Sequence, residues 1–97
     1  MVQIKWLRQA IADLNEIYEY ISQDSERYAE RQVEHIWERT LILKQHLHAG
    51  KKVDELNRED ICELIEGRYR IIYQIMSDEM IHILLVHHSA RDLSKRK

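Results

Sequence analysis

Residues 61–88 read Ile61-Cys62-Glu63-Leu64-Ile65-Glu66-Gly67-Arg68-Tyr69-Arg70-Ile71-Ile72-Tyr73-Gln74-Ile75-Met76-Ser77-Asp78-Glu79-Met80-Ile81-His82-Ile83-Leu84-Leu85-Val86-His87-His88, and this stretch decides the fold class. It is rich in β-branched and aromatic residues and is interrupted only at Glu66-Gly67 and at Ser77-Asp78-Glu79, both of which suit hairpin turns. Three strands are expected, over Ile61–Ile65, Arg68–Met76 and Met80–His88, joined as an antiparallel meander.

Upstream, the pattern changes period. Val2, Ile4 and Trp6 alternate with Gln3 and Lys5, as in a short strand with one buried face. From Ala10 the apolar positions step to Leu14, Ile17 and Ile21, at spacings of four, three and four. That is the stripe of a helix, running from about Leu7 to Gln23. Asp24 or Ser25 can cap a second helix, in which Ala29, Val33, Ile36, Thr40, Leu43 and Leu47 repeat the spacing until Gly50 ends it. The two form an antiparallel hairpin, with Tyr28 and Trp37 extending the buried stripe. Lys51–Asp60 reads as a polar link. The expectation is therefore an α+β chain of order β-α-α-β-β-β, ending in a short C-terminal tail or a helix near Ala90–Arg96.

Composition agrees with one folded domain over residues 1–97. At 97 residues there is room for one modest core, and 44% hydrophobic with 33% charged residues is the balance of a folded chain. With no Pro and two Gly, long elements and few loops are expected. Cys62 is the lone cysteine, so no internal disulfide can form, which suits a reducing cytosol. The longest apolar run, Ile83–Val86, is far short of the ~18 residues of a membrane span, and the opening MVQIKW has no signal-peptide core. A cytoplasmic protein with no membrane partner is expected. The net charge of -2 is unevenly spread: residues 1–67 hold 9 Lys/Arg and 14 Asp/Glu, residues 68–97 hold 6 and 3. A basic C-terminal third can meet nucleic acid or an acidic protein, although Lys95, Arg96 and Lys97 alone read as a solvated tail.

The turns propose a register. A two-residue turn at Glu66-Gly67 pairs Leu64 with Tyr69, Glu63 with Arg70 and Cys62 with Ile71. A three-residue turn at Ser77–Glu79 pairs Gln74 with His82, Ile72 with Leu84, Arg70 with Val86 and Arg68 with His88. One face then carries Cys62, Leu64, Tyr69, Ile71, Tyr73, Ile75, Ile81, Ile83 and Leu85 and packs on the helices. The other has Ile61, Ile72, Leu84 and Val86 as an apolar floor, with Arg68, Arg70, Gln74, His82 and His88 as a rim. Contiguous apolar surface with such a rim marks an interaction site.

These same residues resemble a known family. Cys62-Glu63-Leu64 through Gly67-Arg68-Tyr69-Arg70-Ile71-Ile72-Tyr73, followed by His88-Ser89-Ala90-Arg91, is similar to the C-terminal half of ParE-type toxins, where "REL…G.YRI.Y" precedes "H.AR". Ile4-Lys5-Trp6, Ala10, Asp13-Leu14, Ile17 and Tyr20-Ile21 resemble the family's first strand and helix. Cys62 departs from the pattern, since the family more often has Arg there. The resemblance implies the toxin of a type II toxin–antitoxin system, neutralised by a ParD-like antitoxin in a hetero-oligomer. Within the ParE/RelE superfamily the targets divide between DNA gyrase, poisoned without catalysis, and messenger RNA cut on the ribosome.

Chemistry weighs on that choice, because cutting RNA without a metal needs groups that activate the 2′-hydroxyl and steady the phosphate. Arg68, Arg70 and His88 would supply them. The closing Arg-Asp-Leu-Ser-Lys lacks the late Tyr of many ribosome-dependent members, and the "H.AR" ending favours gyrase. Binding candidates are then Arg68, Arg70, Ile72, Leu84, Val86, His88 and Arg91. The duller readings are a cross-strand ion pair for Arg70 with Glu63, a packed His87 on the helix-covered face, and core positions for Cys62, Trp6 and Trp37. No ligand spacing surrounds His46-x-His48 or His87-His88, so neither metal nor cofactor is expected.

Overall fold

The computed structural model describes residues 1–90 and Leu93. The strand β1 (Gln3–Trp6) is followed by helices α1 (Arg8–Ser22) and α2 (Glu26–Arg39), a 3-10 turn over Thr40–Lys44, and strands β2 (Lys51–Lys52), β3 (Ile61–Glu66), β4 (Tyr69–Ser77) and β5 (Met80–His88). The strands form one sheet in the order β1-β5-β4-β3-β2. The α+β class and the meander stand as expected, with two additions. β1 pairs in parallel with β5, Ile4 opposite Ile81 and Trp6 opposite Ile83. The two-residue β2 lies beside β3, with Lys52 opposite Cys62.

Local chemistry explains the helix limits. Ser25 caps α2, its hydroxyl accepting from the Tyr28 N–H at 3.2 Å, and Glu26 stands in the first turn where the helix dipole favours a negative charge. The second helix is shorter than its apolar stripe. Thr40 turns its hydroxyl back to donate to the Trp37 carbonyl at 2.7 Å, and from there the chain tightens to 3-10 geometry. Ala29, Ile36, Thr40 and Leu43 are buried as the spacing predicts. Tyr28 and Trp37 are not: they are 63% and 49% exposed, because both fall on the outer flank of the stripe.

The core lies between the helical hairpin and one sheet face, with Ala10, Ile36 and Leu43 packed on Cys62, Leu64, Ile71, Tyr73, Ile81, Ile83 and Val86. Tyr73 is fully buried there, its hydroxyl donating to the Leu47 carbonyl at 2.9 Å and accepting from the Gly50 N–H at 3.0 Å. Burial pushes its phenol up to about 12. Gly50 is more than a helix end. A Cβ there would stand 2.4 Å from the Glu63 carbonyl oxygen and 2.8 Å from the Tyr73 ring, so only glycine lets the chain pass.

The register differs from the sequence expectation at three places. The first turn is Gly67-Arg68, with Gly67 at φ +59°, where a two-residue turn of type II′ takes glycine. Pairing slides by two, to Leu64 opposite Ile71 and Cys62 opposite Tyr73, which keeps every side chain on its expected face. The second hairpin closes at Asp78-Glu79, with an irregularity before Ser77 that restores the pairs Gln74–His82 and Tyr73–Ile83. A further irregularity follows, and beyond it Ile72 meets Leu85, Ile71 meets Val86, Arg70 meets His87 and Tyr69 meets His88. Leu84 is the extra residue of this bulge, and everything after it changes face.

Candidate functional site

The bulge at Leu84 rearranges the proposed working surface. Val86, expected on the apolar floor, belongs to the main core and is 3% exposed. Its backbone N–H reaches across to α1, where the buried Asp13 carboxylate accepts it at 2.9 Å. Asp13 also takes Gln9 Nε2 at 2.9 Å. An acid in the apolar stripe of α1 thus anchors the displaced strand to the helix. His88, expected opposite Arg68 on the rim, instead packs edge-on against Tyr69, with ring centroids 5.4 Å apart. Its Nδ1 accepts from the Ala90 N–H at 3.1 Å, so the ring is turned by its own turn. Leu85 and His87, expected among the helices, lie on the second face instead.

Arg68 is a turn residue rather than a strand residue, exposed, with its carbonyl accepting from the Ser89 N–H at 2.7 Å. Arg91 lies outside the described residues, as does most of the expected C-terminal helix. Leu84 and Ile72 do remain on the second face. Ile72 is no exposed floor, however: it is buried with Val53, Ile61 and Leu93, and Leu84 and Leu85 pack at the side.

What covers this face is the segment read as a polar link. Val53, two residues after Gly50-Lys51, is completely buried beneath the sheet, its N–H donating to the Ile61 carbonyl at 3.3 Å. The chain then turns back through Asn57, at φ 49°, before β3 begins. Lys52 pairs with Glu59 at 3.1 Å and Arg58 with Asp60 at 2.7 Å, while Gln74 donates to Asp60 at 2.7 Å. Residues 51–60 form a strap over the second face, pinned at Val53 and at Asp60.

Arg70 is the polar centre under the strap. Its Nε and Nη2 donate to the two oxygens of Glu63, both at 2.8 Å, and its Nη1 and Nη2 donate to the two oxygens of Glu55 at 2.7 and 2.9 Å. Both carboxylates are engaged in the fork geometry that suits arginine. The ion pair with Glu63 was legible in the sequence, although the two residues are diagonal rather than opposite, Glu63 facing Ile72 and Arg70 facing Ile65. Glu55 was not foreseen. The Arg70 guanidinium beside it holds its carboxyl well below the ordinary 4.5, at about 2, and the two acids in turn raise Arg70 above its usual value. Arg70 is therefore fully committed within the chain.

On the helical side, a groove of about 350 Å³ runs between β1 and the end of α2, walled by Val2, Ile4, Trp6, Trp37, Leu41 and Lys44. It lies along the sheet edge formed by β1. Among the described residues no cluster of His, Cys, Asp or Glu has metal-binding geometry, and no helix is long and apolar enough to cross a membrane. Cys62 is buried against Tyr73, and burial raises its thiol.

Comparison with known proteins accounts for this architecture. The chain is similar to a structure of the chromosomal ParDE toxin–antitoxin system from P. aeruginosa, with a TM-score of 0.77 and 26% identity over 91% of this chain and 96% of that one. It also shares its fold with a structure of the toxin–antitoxin complex RelBE2 from Mycobacterium tuberculosis, with a TM-score of 0.63 and 23% identity over 94% of this chain and 97% of that one. No curated protein matches significantly by sequence. Residues 4–93 match the family model for the ParE toxin of the type II toxin–antitoxin system parDE. The chain belongs to the ParE toxin family.

Proposed function

We propose that this ParE-type toxin inhibits DNA gyrase by binding it, in the cytoplasm, and is neutralised there by a ParD-like antitoxin. The observation that carries the choice of target is the separation of the groups that RNA cleavage would need together. Arg70 is closed in by Glu63 and Glu55 on the strap-covered face. His88 sits against Tyr69 on the helix-covered face, and Arg68 lies in the hairpin turn. General acid–base cleavage requires such groups within hydrogen-bond reach of one phosphodiester. A binding poison has no such requirement.

The antitoxin segment is assigned to the groove beside β1. The similar structures are of toxin–antitoxin systems. An edge strand offers backbone hydrogen bonds to an extended peptide, and the half-exposed Trp37 beside it offers an aromatic anchor. The sequence expectation of an antitoxin laid over the mixed sheet face and the helix surface is thereby narrowed to the sheet edge at β1 and the adjoining end of α2.

The test is a supercoiling assay with purified gyrase. The toxin is expected to stop supercoiling and to accumulate cleaved DNA, with protection when antitoxin is added, while messages in a translating extract stay intact. Gyrase that remains fully active, together with mapped cuts in messenger RNA, would overturn the proposal in favour of the ribosome-dependent nuclease.

A further inference from the structure

β1 is an edge of the sheet, and its backbone groups are used on one side only. The Gln3 N–H donates to the Glu79 carbonyl at 2.8 Å and the Leu7 N–H to the Ile83 carbonyl at 3.0 Å, so in this parallel pairing Gln3, Lys5 and Leu7 turn their backbone groups towards β5. Those of Ile4, with Val2 and Trp6 on either side of it, point away from the sheet. The side chains of Val2, Ile4 and Trp6 pack on the helix-covered core and wall one side of the groove, and Trp37 and Leu41 wall the other. Among the described residues, Lys44 is the one charged side chain in that lining, and it is in no ion pair. Asp78 and Glu79, the acids of the neighbouring turn, do not line it. An apolar wall, an unused row of backbone donors and acceptors and one uncommitted ammonium therefore share a single groove.

We infer that Lys44 is the specificity-determining residue of this groove, selecting an antitoxin segment that adds to β1 as a strand and carries, on the face turned to the helices, apolar side chains at alternate positions and a carboxylate that meets Lys44. The inference rests on the assignment of the antitoxin to this groove and is independent of gyrase being the target. Hydrogen bonds to the outward backbone of Ile4 form whatever side chains the segment has, so they supply affinity, and the alternate side chains supply selection. Chemistry decides the occupant. A nucleic acid would meet Lys44, but it has no amide ladder to offer the strand edge and would set phosphates against Trp37 and Leu41. The only charge that β1 itself carries is Lys5, so a second copy laid edge to edge would bring a further cation and no carboxylate.

The experiment uses the full chain, unaltered and as Lys44→Glu, a change at an exposed position that leaves the core untouched. Lys5→Glu is the control, because Lys5 is exposed on the opposite face of the same strand. The probe is the capped heptapeptide Glu-Thr-Val-Thr-Leu-Thr-Glu, which offers a carboxylate to Lys44 in either strand direction. It is titrated into the millimolar range and followed by the amides of Ile4 and Trp6 and the indole N–H of Trp37. Saturable shifts are expected at all of these, and the analogue with lysine in place of both glutamates is expected to bind at least about tenfold more weakly. Lys44→Glu is expected to reverse that order, while Lys5→Glu changes the affinity of the acidic peptide by less than about threefold. Equal binding of the two peptides, or a Lys5→Glu effect as large as that of Lys44→Glu, overturns the inference and leaves the groove to the antitoxin. Shifts that appear at none of these positions with either peptide overturn the groove assignment along with it. Shifts on concentrating the protein alone, or stronger shifts with an oligonucleotide than with the peptide, give the groove to a second copy or to a nucleic acid and overturn the inference as well.

Discussion

The two faces of the sheet are buried by different means. On one, a long amphipathic hairpin lays Ala10, Ile36 and Leu43 over isoleucines, so burial is supplied by elements that are regular in themselves. On the other, one valine and one carboxylate from a charged strap complete a small cluster around Ile72 and Arg70. The first face resists local change because its contacts are many and apolar. The second depends on a few polar bonds in a poorly hydrated place, where losing one partner costs more than the pair contributes. Regular secondary structure covers one face with many contacts, and an irregular strap covers the other with few.

The largest test of that contrast is Arg70→Met. It leaves Glu63, 4% exposed, without its cation, and about 3–5 kcal/mol of stability is expected to be lost in urea unfolding. The joint Arg70→Met, Glu63→Leu variant is expected to recover most of that loss, since an apolar pair carries no buried charge. If the joint variant is no better than the single one, the cost lies in packing and the contrast between the faces weakens.

A smaller effect is expected where the helices meet the bulge. Asp13→Ala removes the oxygen that accepts the Val86 N–H at 2.9 Å, and about 1–3 kcal/mol should be lost, with faster hydrogen exchange at Val86. Exchange at Val86 as slow as in the unaltered protein would show that the sheet holds the bulge without the helix.

The faces should also separate by pH. Tyr73, raised from 10.0 to about 12 by burial, contributes to stability below pH 10, and that contribution is lost as pH rises towards 12. Unfolding and phenolate absorbance should therefore appear together in alkali. Glu55 runs the other way. Its carboxyl is lowered from 4.5 to about 2 by Arg70, so its contribution is present above pH 4.5 and is lost as pH falls towards 2. Partial exposure of Glu55 makes this the smallest of the expected effects, confined to exchange in the strap. Acid that unfolds the whole chain before the strap opens would contradict it.

Much of this was readable in advance. Period-2 and helical spacings fixed the order of elements, and the motif around Gly67-Arg68-Tyr69-Arg70 identified the family before any contact was known. Even the wrong first turn did no harm, because a slide of two residues leaves each side chain on its face. The bulge at Leu84 was another matter. Ile83-Leu84-Leu85-Val86 is apolar at every position, so alternation gives no parity there, and the structure reverses the expected faces of Leu85, Val86, His87 and His88.

The strap was hidden for a complementary reason. Of residues 51–60, Lys51, Lys52, Asp54, Glu55, Arg58, Glu59 and Asp60 are charged, the composition of a solvated link, and Val53 gives no periodic signal by itself. The recess that Val53 enters exists only once Ile61, Ile72 and Leu93 have been brought together from three parts of the chain. What the sequence alone determined was the two helices, β1, the three-stranded meander and the family, because repeating patterns of burial are written residue by residue. Tertiary structure decided which side chains follow the bulge and what covers Arg70. Those depend on a carboxylate from α1 and a valine from the strap, partners that no local pattern names.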